Sequence, residues 1–199
     1  FLALAAILAW APLALAYAVA TKKLLIGAYR PLRAPAWGGF HVRHWIVMRA
    51  ARRIPWRLFA GTELTSVALR LLGARVGRRV HIHRGVEVAG GGWDLLELGD
   101  DTTISQDASL RLAELIDGEI AVGAIRIGAR ATLGIRAGVG RDTEVGRDAL
   151  LESLSWLDEG ARIPDGERWD GVPARPAGRA PAPPAGAATR ECVTAHASL

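Results

Sequence analysis

The sequence predicts a mainly β protein, a parallel β-helix preceded by a transmembrane helix and short amphipathic helices. Three observations carry this reading. Phe1 to Ala20 is an uncharged, apolar run closed by Lys22 and Lys23. Residues 1–62 hold nine basic residues and no acid. From Val76 onward, small aliphatic residues recur every six positions. Composition narrows the field further. Half of the 199 residues are apolar and 23% are charged, which excludes a disordered chain. A single cysteine, Cys192, excludes a disulfide scaffold and multi-cysteine metal motifs.

The first element is the apolar run, read as a transmembrane helix over residues 1–21. Twenty helical residues reach about 30 Å, the thickness of a hydrocarbon core. Pro12 is tolerated within such a helix. A secretory signal would carry its basic residues before the run. Here they follow it, and Leu24, Leu25 and Ile26 continue apolar. Because the sequence starts with Phe, it is expected to be part of a longer polypeptide with this helix truncated. The basic flank places residues 22–199 on the cytoplasmic side of the inner membrane.

Residues 22–73 are expected to form a basic, helical, interfacial region. Lys22, Lys23, Arg30, Trp37, Arg49, Arg52, Arg53 and Trp56 are the residues assigned to the membrane surface, where arginine meets anionic lipid and indole bridges apolar and wet layers. His41 and His44 lie in this stretch and are read as lipid-facing or solvated. Pro55 ends or kinks the helix. Leu64, Val67, Ala68, Leu71 and Leu72 then fall at helical spacing, which suggests a short helix packed across the end of the next domain.

The third element, residues 74–175, is the β-helix. Its register runs through Val76, Ile82 and Val88, then Leu98, Ile104 and Leu110. It continues from Ile127 through Leu133, Val139, Val145, Leu151, Leu157 and Ile163 to Trp169. Glycine follows the aliphatic position at 77, 99, 128, 134, 140 and 146. A six-residue period matches neither an α-helix nor an ordinary strand. It fits coils of three short strands, each stable only when stacked on its neighbours. Two insertions, 89–97 and 111–126, interrupt the register and are expected to lean over one face as loops flanking a cleft. Residues 176–199 are rich in Ala, Pro and Gly and are expected to be disordered.

That cleft is where chemistry is expected. His81 and His83 flank inward-facing Ile82 and share the outer side of a strand, which makes either a candidate general base. Trp93, Asp94, Glu114 and Glu119 in the insertions are candidate substrate contacts, the acids suiting a cationic amino-acid acceptor. A metal pair of histidines lacks a third ligand, so no metal is assigned. No nucleic-acid-binding pattern is present, since the domain beyond residue 62 is mildly acidic.

Taken together, Leu24-Leu25-Ile26-Gly27-Ala28-Tyr29-Arg30-Pro31, Gly61-Thr62, Leu71-Leu72-Gly73-Ala74-Arg75-Val76-Gly77 and Arg168-Trp169-Asp170-Gly171-Val172-Pro173-Ala174 resemble the carboxy-terminal region of the Pls/PosA-type nonribosomal peptide synthetases. The rungs followed by Gly171-Val172-Pro173-Ala174 also resemble the hexapeptide-repeat acyltransferases, which implies a left-handed coil and trimer-like assembly. The resemblance implies tandem β-helix domains that join amino acids delivered as phosphopantetheine-linked aminoacyl thioesters by an upstream carrier domain. It also matches Asp117 to a family aspartate, which makes Asp117 a third catalytic candidate. Ala113 stands where the family carries a histidine, so this copy is either active through another base or a structural partner of an active copy. A free-standing acyltransferase using acyl-CoA is the alternative.

Overall fold

A computed structural model describes residues 2–181, with side chains from Trp10 onward. Three parallel sheets run along one axis. The first holds β2 (Arg75–Val76), β4 (Leu96–Leu98), β9 (Ile125–Ile127), β12 (Thr143–Val145) and β15 (Arg162–Ile163). The second holds β3 (His81–Ile82), β5 (Thr103–Ile104), β10 (Thr132–Leu133), β13 (Leu150–Leu151) and β16 (Glu167–Asp170). The third holds β6 (Ser109–Leu110), β11 (Gly138–Val139) and β14 (Trp156–Leu157), with Glu87 bridging to Ser109. One turn of chain supplies one strand to each sheet, which makes the domain a parallel β-helix.

The six-residue register follows from this geometry. Leu98, Ile127, Val145 and Ile163 stack inside the first sheet, and Ile104, Leu133 and Leu151 inside the second. Val139 and Leu157 stack inside the third, all of them buried. Where glycine follows the aliphatic residue, it sits at a corner where rungs touch backbone to backbone. A Cβ on Gly77 would lie 2.7 Å from Asp100 N, and one on Gly128 would lie 2.7 Å from Arg147 N. These glycines are required by close approach of neighbouring rungs.

Outside the corners, charge alternates along the stack. Arg75, Glu97, Arg126, Glu144 and Arg162 occupy one register column of the first sheet, and Arg75–Glu97, Glu97–Arg126 and Glu144–Arg162 pair at 3.6–3.8 Å. A second ladder places Arg79 on Asp101 and Arg130 on Asp148, each at 2.6 Å. These arginines hold the Asp101 and Asp148 carboxyls below the usual carboxylate range, chiefly by side-chain hydrogen bonds.

The N-terminal region departs from expectation. Helix α1 (Leu2–Leu25) packs on α2 (Gly39–Ala51), and Ala14, Ala18 and Lys22, one turn apart, are buried. Trp10, Leu13, Tyr17 and Leu24 are exposed. Among the described residues no helix is long and apolar enough to cross a membrane. The expected span 1–21 is therefore not found there, although residues 1–9 lie outside the described side chains. Part of α1 has a protein partner in α2, where the expectation supplied only lipid.

Residues 22–73 are not wholly helical. Leu32–Pro35 forms strand β1, which pairs antiparallel with β8 (Glu119–Val122), and β8 pairs with β7 (Ala113–Ile116). The second insertion is thus a hairpin in a three-stranded sheet, where a loop was expected. Its turn is Asp117-Gly118, with both φ positive (50° and 76°), the two-residue connection that suits the twist of a hairpin. After Pro55, α3 (Trp56–Phe59) and α4 (Glu63–Leu71) cap the first rung. The face of α4 differs from the expected one: Thr65, Ser66, Ala68 and Leu69 are buried, with Leu72 just beyond, while Leu64, Val67 and Leu71 are exposed. At the other end, β17 (Arg175–Arg179) turns back antiparallel on β16, so residues 176–179 of the expected disordered tail are strand. Residues 182–199, including Cys192, lie outside the described residues.

Candidate functional site

Both insertions leave the stack between the third and the first sheet, but what lies under them is packed. Trp93 is fully buried, and its indole N–H donates to Val88 O at 2.7 Å. Asp94 accepts from Lys22 Nζ at 2.7 Å and from the Tyr29 backbone N–H at 2.9 Å. Gly73, at φ +108°, leaves room for this pair, because a Cβ there would lie 2.9 Å from Lys22 Nζ. Tyr29 stacks edge-on against Trp93 and His44, and its hydroxyl lies 3.0 Å from His44 Nδ1. Burial raises the Tyr29 phenol well above its usual value, and the Asp94 charge adds to the effect. Burial, with His41 nearby, pushes His44 down to about 4, so the imidazole is neutral and can accept from the phenol.

This junction corrects several expectations. Lys22 is buried against Asp94, where a place at the membrane surface was expected. His44 is a core residue, where solvated or lipid-facing was expected. Trp93 and Asp94 hold the first insertion against the N-terminal helices, where the lining of an open cleft was expected. The sequence separation of these partners gave no local signal for the cluster.

The remaining assigned residues disperse. Asp117 is exposed at the hairpin turn, and Glu119 is exposed at the start of β8. Glu114 pairs with Arg111 at 3.3 Å and lies 3.9 Å from the buried guanidinium of Arg141, which also pairs with Glu159. Lys23, Arg30, Trp37, Arg49, Arg52 and Arg53 are exposed on the N-terminal region. Arg49 lies over the Trp45 ring and Arg53 over the Tyr17 ring, at 5.6 and 5.8 Å. Trp56 is half-buried, with its indole N–H on Ala51 O. Among the described residues no cluster of His, Cys, Asp or Glu suits a metal ion.

His81 and His83 diverge. His81 sits on the outer side of the second sheet beside Thr103, close enough to Asp101 to lower that carboxyl slightly. His83 lies just past β3 and lines a cleft of about 610 Å³ with Trp56, Arg57, Glu87, Gln106 and Asp107. Asp107 occupies a left-handed corner (φ 57°), and its carboxylate folds against Gly85. Sequence reasoning missed Glu87, Gln106 and Asp107 because they belong to rungs and not to the insertions. The signal available was the place of Gln106 and Asp107 in the turn following Ile104, and of Glu87 just before the register position Val88. Chemically, the cleft offers an imidazole, two carboxylates, the two guanidiniums of Arg57 and Arg84 and an indole. A second, open groove of about 730 Å³ follows the glycine corner and is lined by the paired ladder charges.

No family model matches the chain. The stack shares its fold with a solved acetyltransferase. A maltose O-acetyltransferase from Clostridium difficile 630 superposes with a TM-score of 0.53 at 15% identity, covering 81% of this chain and 97% of that one. A hexapeptide-repeat-containing acetyltransferase from Vibrio cholerae gives 0.48 at 14% identity, over 67% and 93% of the two chains. In sequence, the chain is 27% identical over 160 residues to a delta-poly-L-ornithine synthetase of Acinetobacter baumannii (strain AB307-0294). That alignment covers 80% of this chain and spans 12% of the length of the relative.

Proposed function

We propose that this chain is an acyltransferase-like domain of a membrane-bound nonribosomal peptide synthetase, forming or supporting amide bonds between a carrier-bound aminoacyl thioester and an amino-acid amine. The observation that carries this reading is the similarity to a polyornithine synthetase across 80% of the chain. In the proposed step, an unprotonated amine attacks the thioester carbonyl carbon. The C–N bond forms, the C–S bond breaks, and the amine proton passes through His83 to the departing thiolate, so no further reactant is consumed. Glu87 and Asp107 hold a cationic acceptor in the His83 cleft, and Trp56 bounds it. The thioester comes from an upstream carrier domain through its phosphopantetheine arm, and sister β-helix domains complete the assembly. The apolar α1 and the basic region after it hold the domain on the cytoplasmic face of the inner membrane.

Two other readings have specific support. Ala113, at the place where the resemblance puts a histidine, favours a structural copy that supports an active sister domain. The alternative is a free-standing enzyme that uses acyl-CoA, on a fold shared with a solved acetyltransferase. The test is product formation by the complete polypeptide in membranes. His83→Ala lowering turnover roughly a hundredfold at unchanged folding supports the first reading. Unchanged turnover supports the structural copy. Acyl transfer from acyl-CoA by this chain alone supports the third.

A further inference from the structure

We infer that the cap formed by α3 and α4 rests on an anionic bilayer, so that the β-helix stands with its first rung toward the membrane. The inference rests on the membrane part of the reading above and adds a contact through residues that the sequence reading assigned to packing.

Helix α4 is strongly amphipathic, yet its apolar stripe faces away from the protein. Leu64, Val67 and Leu71, at spacings of three and four, are 53%, 43% and 53% exposed, and Leu58 of α3 is 54% exposed. The opposite face carries Thr65, Ser66, Ala68 and Leu69 and lies against β2 and β3 of the first rung. Thr65 satisfies its hydroxyl on Phe59 O, whereas the buried Ser66 hydroxyl has no partner among the described residues. A helix that turns two hydroxyls inward and Leu64, Val67 and Leu71 outward presents those three side chains to something apolar.

Charge selects the occupant. Residues 39–71 carry six arginines, Arg43, Arg49, Arg52, Arg53, Arg57 and Arg70, against one acid, Glu63. Of these, Arg57 and Arg70 neighbour Leu58 and Leu71 in sequence, and Arg70 also donates to Val76 O at 2.9 Å. A second copy of the chain docked on this face would set these arginines against themselves. An anionic leaflet answers them, and an apolar stripe bordered by arginine is the form of a helix lying in the headgroup layer.

The experiment uses the full chain with Cys192→Ser and a nitroxide placed in turn at Leu64→Cys, Val67→Cys, Leu71→Cys and, as a reference on the rungs, Ile135→Cys. Accessibility to oxygen and to a water-soluble nickel complex is measured with vesicles of phosphatidylethanolamine and phosphatidylglycerol. The oxygen-to-nickel ratio at positions 64, 67 and 71 is expected to rise severalfold on vesicles, while position 135 stays aqueous. Labels that stay aqueous while the chain sediments with the vesicles overturn the inference and leave the α1 anchor standing. Labels already shielded before vesicles are added identify a second copy as the occupant and also overturn it. A chain that does not sediment overturns the inference and the membrane reading together.

Discussion

The Lys22 ammonium sits 2.7 Å from the Asp94 carboxylate and joins the N-terminal helix to the first insertion across 72 residues of sequence. The lysine side chain is only 5% exposed and the aspartate 19%, so each charge depends on the other for its solvation. Asp94→Leu or Lys22→Met alone is expected to cost about 3 kcal/mol, less than a fully buried pair because Asp94 retains some water contact. The double variant Lys22→Met/Asp94→Leu is expected to recover much of that loss. Denaturant titration of the four proteins in one detergent checks it, and additive losses would mean that the pair is not coupled.

Beside this pair, His44 couples stability to pH. Its ordinary value of 6.5 falls to about 4 in the folded chain, so the unfolded chain binds the proton first as acid is added. The contribution is fully present above pH 6.5 and is lost as the pH falls toward about 4. Over that window the loss is on the order of 2–3 kcal/mol. His44→Gln should flatten the slope between pH 6.5 and 4 in a series of denaturation midpoints.

The glycine corners give a sharp contrast. Gly128→Ala drives a Cβ to 2.7 Å from the Arg147 backbone nitrogen, where no side chain can move aside. A loss of roughly 2–3 kcal/mol is expected. Gly39→Ala, in α2 with nothing within 4 Å, should be neutral or stabilise by roughly 0.5–1 kcal/mol. Thermal denaturation of the two variants side by side decides the point.

In the ladder of the first sheet, Glu97→Lys would place a cation between Arg75 and Arg126, making three in a column. Exposed pairs contribute little singly, so the expected cost is about 1 kcal/mol or less at low salt. The loss should shrink in high salt as screening removes the repulsion. A salt-independent loss would point to packing.

Asp117 is expected to be dispensable for chemistry. Asp117→Gly keeps the positive φ of the hairpin turn, so stability should change by no more than about 0.5 kcal/mol and product formation should not change. Reduced turnover in a folded variant would return Asp117 to the site.

The rungs were legible because their cause is periodic: an inward aliphatic residue and a glycine corner recur at a fixed step. The charge ladders were equally regular, with Arg126, Glu144 and Arg162 eighteen apart, but the aliphatic pattern drew the reading first. The hairpin left a local mark in Ile116-Asp117-Gly118-Glu119, a two-residue turn between short apolar runs, which the loop reading passed over. The junction left none. Lys22, Tyr29, His44 and Asp94 come from separate elements, and no spacing rule announces a polar contact made only after those elements dock. His83 was legible as an outward residue, whereas the cleft around it depends on where α3 and the second rung fall.

The pairing of β1 with β8 bears on how this molecule can be divided. A cut before the first rung, at residue 74, would look clean in sequence, yet it would strip β8 of its neighbour from Leu32 to Pro35. Ile120, Ala121 and Val122, now buried, would become an open sheet edge beside an uncovered Trp93. Such an edge invites pairing with other chains. The rungs are therefore expected to aggregate when expressed without residues 22–73, and the smallest separable unit includes the polypeptide on either side of that cut.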